Sequence, residues 1–172
     1  MGERLRGFGP VCDEKSRVLI LGSFPSVMSR QMSFYYGNPR NRFWGTLCSF
    51  FGEEVPAETD GKIRFLLRRR IALWDIVSSC ETKGSMDRDL RACETADLTP
   101  LFAKAPLAAV FLNGRTAEKI YLVRYGDVSV PHFALPSTSP ANARFSQEPW
   151  REALRKFFPD AGRLGEEETA PL

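Results

Sequence analysis

Four short apolar runs, each followed by turn-forming residues, dominate the pattern of this sequence. The runs are Val18 to Leu21, Ile71 to Val77, Leu107 to Leu112, and a stretch within Val128 to Leu135 that begins at about Phe133. Uninterrupted apolar runs of this length are typical of strands that are buried on both faces. We therefore predict four buried strands.

Amphipathic patterns with helical spacing lie between and after these runs. The predicted helices run from Phe43 to near Gly52, from Thr59 or Asp60, after Asn113-Gly114, and from Ser146, with shorter helices from Asp87 and around Leu98 to Ala103. Buried strands that alternate with amphipathic helices indicate a parallel sheet covered on both faces. We predict an α/β fold, a three-layer α/β/α sandwich with a short, mainly parallel four-stranded sheet. One domain is expected over residues 1–158, followed by a disordered tail at 159–172.

The composition narrows the class of protein. The chain has 172 residues, 43% of them apolar and 26% charged, as in a soluble globular domain, and its net charge of +3 is weak evidence for a nucleic-acid partner. No apolar stretch is long enough to cross a membrane, and the N-terminus lacks the apolar centre of a signal peptide. Cys12, Cys48, Cys80 and Cys93 are scattered without a Cys-x-x-Cys pair. We therefore expect no structural zinc, and reduced thiols in a bacterial or archaeal cytosol.

The unusual loops all follow the carboxyl ends of predicted strands. They are Ser23 to Tyr36, Ser78 to Asp87, the turn at Asn113, and Pro136 to Arg144. Ligands of parallel sheets bind beyond the carboxyl ends of the strands. These loops offer aromatic rings that stack on bases, amides that read base edges, and hydroxyls and Arg that hold phosphates. The arrangement favours a nucleic acid or nucleotide as the ligand.

The usual catalytic residues are scarce. The chain has one histidine, His132, and it lacks a dinucleotide-binding GxGxxG sequence, a phosphate-binding loop and a nucleophile elbow. No residue cluster suits a metal. We therefore expect neither a cofactor nor a metal.

Three longer motifs carry a resemblance to a known family. They are LGSFPS at residues 21–26, YYGNPRNRFW at 35–44 and LPSTSPAN at 135–142, with shorter matches at Leu73-Trp74-Asp75 and Gly84-Ser85-Met86-Asp87. With these motifs the chain resembles the uracil-DNA glycosylase superfamily, and most closely its hypoxanthine-DNA (deoxyinosine) glycosylase branch, over about residues 16 to 158. The resemblance implies a monofunctional DNA glycosylase of base excision repair. Such an enzyme extrudes a deaminated base from DNA and hydrolyses its N-glycosidic bond through an oxocarbenium-like sugar. We expect it to act as a monomer.

The resemblance also implies site residues. Phe24 stands where other branches carry an acidic or amide residue, so the catalytic role moves elsewhere. Asn41 is the first choice and Asn38 the rival. Base-binding residues are expected at Gly22, Ser23, Phe24, Pro25, Tyr36 and Asn113, with Tyr36 stacking on the base. DNA contacts are expected from Ser26, Ser137, Thr138, Ser139, Asn142 and Arg144.

Other interpretations of these residues remain open. Asn41 could simply cap the helix that follows it, and Asp75 could be either a buried base with a shifted pKa or a structural hydrogen-bonding group. Leu135 occupies the position where uracil-specific relatives place a histidine, which argues against a plain uracil enzyme. The rival functions are a uracil or mismatched-pyrimidine glycosylase, a non-catalytic DNA- or nucleotide-binding module, and a flavodoxin-like small-molecule binder.

Overall fold

The computed structural model describes residues 3–82 and 90–161. Its strands are β1 Glu3–Arg6, β2 Val18–Gly22, β3 Ile71–Asp75, β4 Val77–Thr82, β5 Leu90–Thr95, β6 Ala109–Asn113 and β7 His132–Leu135. Its helices are α1 Val27–Met32, α2 Phe43–Phe50, α3 Thr59–Arg68, α4 Thr99–Lys104, α5 Arg115–Tyr125 and α6 Glu148–Phe157.

Four of these strands form one parallel sheet in the order β3-β2-β6-β7. The central strands β2 and β6 are buried along their whole length, whereas the edge strand β7 is partly exposed. This matches the predicted pattern, because only strands covered on both faces need continuous apolar runs. The predicted four-stranded sheet is confirmed.

The side chains of β2 divide the core into two parts. Val18 and Ile20 pack with α2, α3 and α6, through residues such as Leu47, Leu66 and Leu154. Leu19 and Leu21 point to the other face, where α4 and α5 contribute Leu101, Ala117 and Tyr121. Helices therefore cover both faces of the sheet, and the predicted three-layer sandwich is confirmed.

A second, antiparallel sheet of order β1-β4-β5 was not predicted. The run from Ile71 to Val77 is two strands, because the backbone N–H of Ile76 bonds to the carbonyl of Gly22 and the chain then enters the second sheet at Val77. Residues 83–89, which include the Gly84 to Asp87 motif and the start of the helix expected from Asp87, lie outside the described residues. From Leu90 onward the chain is β5, so the helix prediction is wrong there. The polar sequence of β1, ERLR, gave no apolar signal for this sheet.

The second sheet also corrects the prediction that all four cysteines are reduced. Cys80 on β4 and Cys93 on β5 form a disulfide, whereas Cys12 and Cys48 are free. The antiparallel pairing of β4 with β5 brings the two Cα atoms to 4.1 Å, and the missed hairpin explains the missed bond. Residues 162–172 of the expected tail lie outside the described residues. Within the ranges 3–82 and 90–161, no helix has the length and apolar character to cross a membrane.

Candidate active site

A cavity of about 350 Å³ opens beyond the carboxyl ends of β2, β3 and β6. Its lining comprises Gly22, Ser23, Phe24, Pro25, Ser26, Ser29, Tyr35, Tyr36, Asn38, Asn41, Asp75, Asn113, Ser137, Thr138, Ser139, Pro140 and Ala141. Every predicted site residue lines it except Asn142 and Arg144. Within the part of the chain that the structure describes, the lining holds one carboxyl group and no Lys, Arg or His. This nearly neutral pocket is therefore suited to an uncharged polar heterocycle.

Asn113, the last residue of β6, joins two walls of the cavity. Its Nδ2 donates to Tyr36 Oη at 3.2 Å and to Thr138 Oγ1 at 3.0 Å, and its Oδ1 accepts from the backbone N–H of Thr138 at 3.0 Å. An amide has two donor hydrogens, and both are engaged here. Asn113 thus braces Tyr36 and Thr138, with only its oxygen left to accept a further bond.

Tyr36 forms an aromatic wall of the cavity. Its ring stacks on Phe43, the first residue of α2, with the ring centroids 4.1 Å apart and the planes at 27°. Its backbone has a φ of 54°, a left-handed conformation that few residues other than glycine adopt. Burial raises the pKa of the Tyr36 phenol, so the hydroxyl stays neutral. Phe43 and Asn113 together fix both the plane and the tip of this side chain.

Asp75 and Gly22 pair in register at the ends of β3 and β2. Asp75 is 4% exposed, and its Oδ2 has no hydrogen-bond partner. Burial raises the pKa of this carboxyl to about 7. A Cβ atom on Gly22 would lie 2.5 Å from Asp75 Oδ1 and 2.7 Å from Tyr36 Oη. Glycine therefore leaves the space that both side chains occupy.

The two candidate asparagines lie on the segment before α2. Asn38 Oδ1 accepts from the backbone N–H of Arg40, and Asn41 Oδ1 accepts from that of Phe43, each at 2.9 Å. The second bond satisfies the N–H of the first residue of α2, although the N-cap position itself is Arg42, which makes no side-chain capping bond. Asn41 nevertheless lines the cavity. Among the described residues, neither amide nitrogen has a hydrogen-bond partner, so both can donate to a ligand.

Arg42 connects this segment to the loop after β7, residues 136–144, which we call the β7 loop. Its backbone N–H donates to the carbonyl of Thr138 at 3.0 Å. Its Nη2 donates to the carbonyls of Ser139 at 2.5 Å and Asn142 at 2.8 Å, and its guanidinium lies 4.5 Å from the centre of the Phe145 ring. Sequence reasoning missed this role, because nothing in the local pattern distinguishes Arg42 from a solvent-exposed cation.

The expected DNA-contacting residues divide into buried and exposed groups. Thr138 is 1% exposed and bonded to Asn113 and Arg42, so it supports the β7 loop from within. Ser26 caps α1 by accepting from the N–H of Ser29 at 3.1 Å. Ser137 and Ser139 line the cavity and are partly exposed, and we call them its rim.

Beyond that rim, Asn142 and the exposed Arg144 line an adjacent groove beside the start of α5. His132, the first residue of β7, is exposed and does not line the cavity. No group of three or more His, Cys, Asp or Glu within residues 3–82 and 90–161 is arranged to hold a metal ion.

Comparison with known proteins identifies the family to which this chain is similar. The family model for the uracil DNA glycosylase superfamily matches residues 9–159. A protein named hypoxanthine DNA glycosylase from Methanosarcina acetivorans is 36% identical, with 87% of this chain and 98% of the relative covered. A protein of the same name from Methanosarcina barkeri is 32% identical, with 88% and 98% covered.

A solved structure agrees with these sequence matches. The solution NMR structure of a candidate uracil DNA glycosylase from Methanosarcina acetivorans superposes with a TM-score of 0.75 at 34% identity, covering 95% of this chain and 99% of that one. Fold and sequence thus match over nearly the whole domain. The chain belongs to the uracil DNA glycosylase superfamily.

Proposed function

We propose that this protein is a monofunctional DNA glycosylase that hydrolyses the N-glycosidic bond of deaminated bases, most of all hypoxanthine, in base excision repair. The observation that carries this proposal is the nearly neutral cavity at the strand ends of a chain from this superfamily. Its volume of about 350 Å³ suits a small flat ligand. The names of the two Methanosarcina relatives support hypoxanthine as the preferred base.

The cavity takes the base after it leaves the duplex. Extrusion costs a few kcal/mol, and least for a damaged or mismatched base. Tyr36 is fixed by Phe43 and Asn113, so its ring needs no reorganisation to stack on the base through the face opposite Phe43. Phe24 and Pro25 add apolar walls. A preformed, mostly rigid pocket favours capture of the extruded base over its return to the stack.

Bond cleavage separates a purine anion from an oxocarbenium-like sugar. We propose that Asn41 orients the attacking water and contacts the reacting nucleotide through its partner-free amide nitrogen. An amide does not accept a proton at neutral pH, so Asn41 positions the water without deprotonating it. Cleavage of the glycosidic bond therefore runs ahead of the addition of water to the sugar. Asn38 has the same hydrogen-bond pattern in the structure and is the alternative. One preorganised hydrogen-bonding group of this kind typically contributes about 100- to 1,000-fold in rate.

The residues at and beside the rim of the cavity are the proposed contacts with the DNA duplex. We propose that Ser26, Ser137 and Ser139 contact phosphates, and that Asn142 and Arg144 follow the backbone in the adjacent groove. Thr138 acts indirectly, by holding the β7 loop in place. We propose that the protein acts as a monomer in a bacterial or archaeal cytosol.

Cleavage of defined duplexes tests the proposal. The protein is incubated with duplex oligonucleotides that contain deoxyinosine, deoxyuridine or a G·T mismatch, and abasic products are cleaved with alkali. Strand cleavage mainly at inosine is the expected result, and the same duplex with deoxyadenosine is the control. Cleavage mainly at uracil or thymine would move the function to the pyrimidine branch. Retarded migration without any cleavage would make the protein a binding module.

A further inference from the structure

The carboxyl group of Asp75 is buried in the lining of the cavity. It ends β3 in register with Gly22, is 4% exposed and lines the cavity. Its Oδ2 accepts no hydrogen bond, and among the described residues Asp75 forms no ion pair or side-chain hydrogen bond. An unpaired buried polar group costs about 1–3 kcal/mol, so its presence in a native fold calls for an explanation.

The neighbouring glycine preserves room for this carboxyl. A side chain on Gly22 would meet Asp75 Oδ1 and Tyr36 Oη at well under 3 Å. The carboxyl therefore lies beside the Tyr36 hydroxyl, and we call the part of the lining formed by Gly22, Tyr36 and Asp75 the floor of the cavity. We expect a base that stacks on Tyr36 to bring one edge to this floor.

The surroundings favour the neutral form of Asp75. Among the described residues of the lining, the other titratable groups are the phenols of Tyr35 and Tyr36, and burial raises the pKa of each, so both stay uncharged. Among residues 3–82 and 90–161, no Lys, Arg or His lines the cavity to stabilise a carboxylate. Burial raises the pKa of Asp75 to about 7, so the protonated acid is abundant at neutral pH. A protonated carboxyl carries one O–H donor and one carbonyl acceptor.

We propose that Asp75, as a neutral carboxylic acid, hydrogen bonds the edge of the extruded purine and stabilises it as it leaves. This inference rests on the proposed function. Hypoxanthine presents a carbonyl oxygen beside a ring N–H, which matches the O–H and C=O of the acid. When the sugar–nitrogen bond breaks, its electron pair passes to the purine and the negative charge spreads to that oxygen. The hydrogen bond then strengthens while Asp75 keeps its proton. Water adds to the sugar carbon and loses its proton to solvent.

Two substitutions distinguish hydrogen-bond donation by Asp75 from its other possible roles. Asp75→Asn keeps an N–H donor that does not titrate, whereas Asp75→Ala removes the donor. We expect Asp75→Ala to lower the single-turnover rate on inosine duplex about 100-fold or more, and Asp75→Asn to stay within about tenfold of the wild type at pH 7. The wild-type rate should fall above about pH 7 as the acid ionises, and Asp75→Asn should lack that fall. The matched control is Asp127→Asn, an exposed residue outside the cavity, which should keep the wild-type rate and profile.

Three results would overturn the proposed role of Asp75 as a hydrogen-bond donor. An Asp75→Asn variant that folds but is as slow as Asp75→Ala would mean that the ionised carboxylate acts. An Asp75→Ala variant with the wild-type rate would mean that Asp75 does not touch the base. A common loss of melting temperature in both variants, with an unchanged pH profile, would make its role structural.

Carboxyl NMR tests the same contact without catalysis. In protein labelled with ¹³C-aspartate, the carboxyl of Asp75 is titrated with and without free hypoxanthine. The proposal expects the purine to raise the pKa of Asp75, because it binds the protonated form. A lowered or unchanged pKa would overturn the proposal. If the wild type did not cleave inosine, the proposed function would fail on its own, and this titration would still decide the role of Asp75.

Discussion

The amide of Asn113 donates a hydrogen bond of 3.2 Å to the hydroxyl of Tyr36, across 77 positions of the sequence. The same nitrogen bonds to Thr138, so one side chain at the end of β6 fixes an aromatic wall and the β7 loop together. One strand end and two separate loops thus form one preorganised unit around the cavity. In a site of this kind, rigidity before the substrate arrives is part of the catalytic effect.

Replacement of Asn113 by alanine should disturb stability and activity together. The substitution leaves the N–H and hydroxyl of the buried Thr138 without their partner, at a cost of about 1–3 kcal/mol for each buried unsatisfied group. We expect a lower free energy of unfolding in urea and slower inosine cleavage. Thr138→Val removes only the hydroxyl contact and should have the smaller effect on stability. Equal free energies of unfolding for wild type and Asn113→Ala would contradict the bracing role.

Two glycine-to-alanine substitutions should act in opposite directions. Gly22→Ala places a methyl group against Asp75 and Tyr36, so one or both must move, and we expect a large loss of cleavage. Gly45 lies on the exposed side of α2, and a Cβ there meets nothing within 4 Å. Gly45→Ala should therefore raise the free energy of unfolding by about 1 kcal/mol with unchanged cleavage. Full activity in Gly22→Ala would show that the floor of the cavity tolerates displacement.

The strands β2 and β6 could be predicted because each is buried on both faces and therefore apolar throughout. β1 could not, because its sequence ERLR pairs at a solvent-exposed edge and carries no periodic apolar signal. The disulfide between Cys80 and Cys93 was missed for the same reason, since it depends on the pairing of β4 with β5. The local sequence indicates which strands are buried, whereas the antiparallel pairing of polar strands depends on partners that are distant in the sequence.

For the candidate site, too, the sequence predicted the positions of residues better than their partners. Turn residues and motif resemblance placed Gly22, Tyr36 and Asn41 at one edge of the sheet, and all three line the cavity. The partners of each side chain could not be predicted. Thr138 was expected to contact DNA yet is buried, and Asn113 was expected to bind the base yet has both amide hydrogens engaged within the protein. Such contacts depend on the distances between separate loops.

Removal of the Tyr36 ring should weaken binding of the extruded base. Tyr36→Ala loses a stacking surface, which is worth about 1–3 kcal/mol for one base. Binding is measured on duplex that carries a non-cleavable inosine analogue, with undamaged duplex as the reference. Tyr36→Phe keeps the ring but loses the contact to Asn113, so it should retain most of the affinity. Equal affinity of Tyr36→Ala and wild type for the analogue would exclude stacking.

Substitution of Asn41 should separate turnover from DNA binding. Asn41→Ala removes the amide that we propose to orient water, and we expect single-turnover cleavage to fall about 100- to 1,000-fold while duplex affinity is retained. It also removes the bond to the N–H of Phe43, which typically costs about 1 kcal/mol of stability.

Asn41→Asp distinguishes these two effects. The carboxylate can still accept from the N–H of Phe43, and a negative charge at the start of α2 is favourable, so the contact with the helix is kept. The variant lacks the amide hydrogens, however, so it should unfold like the wild type and still cleave slowly. Rates and free energies of unfolding are measured for both variants and for Asn38→Ala. If Asn38→Ala alone abolished cleavage, the catalytic amide would be Asn38, and the contact of Asn41 with Phe43 would be its whole contribution.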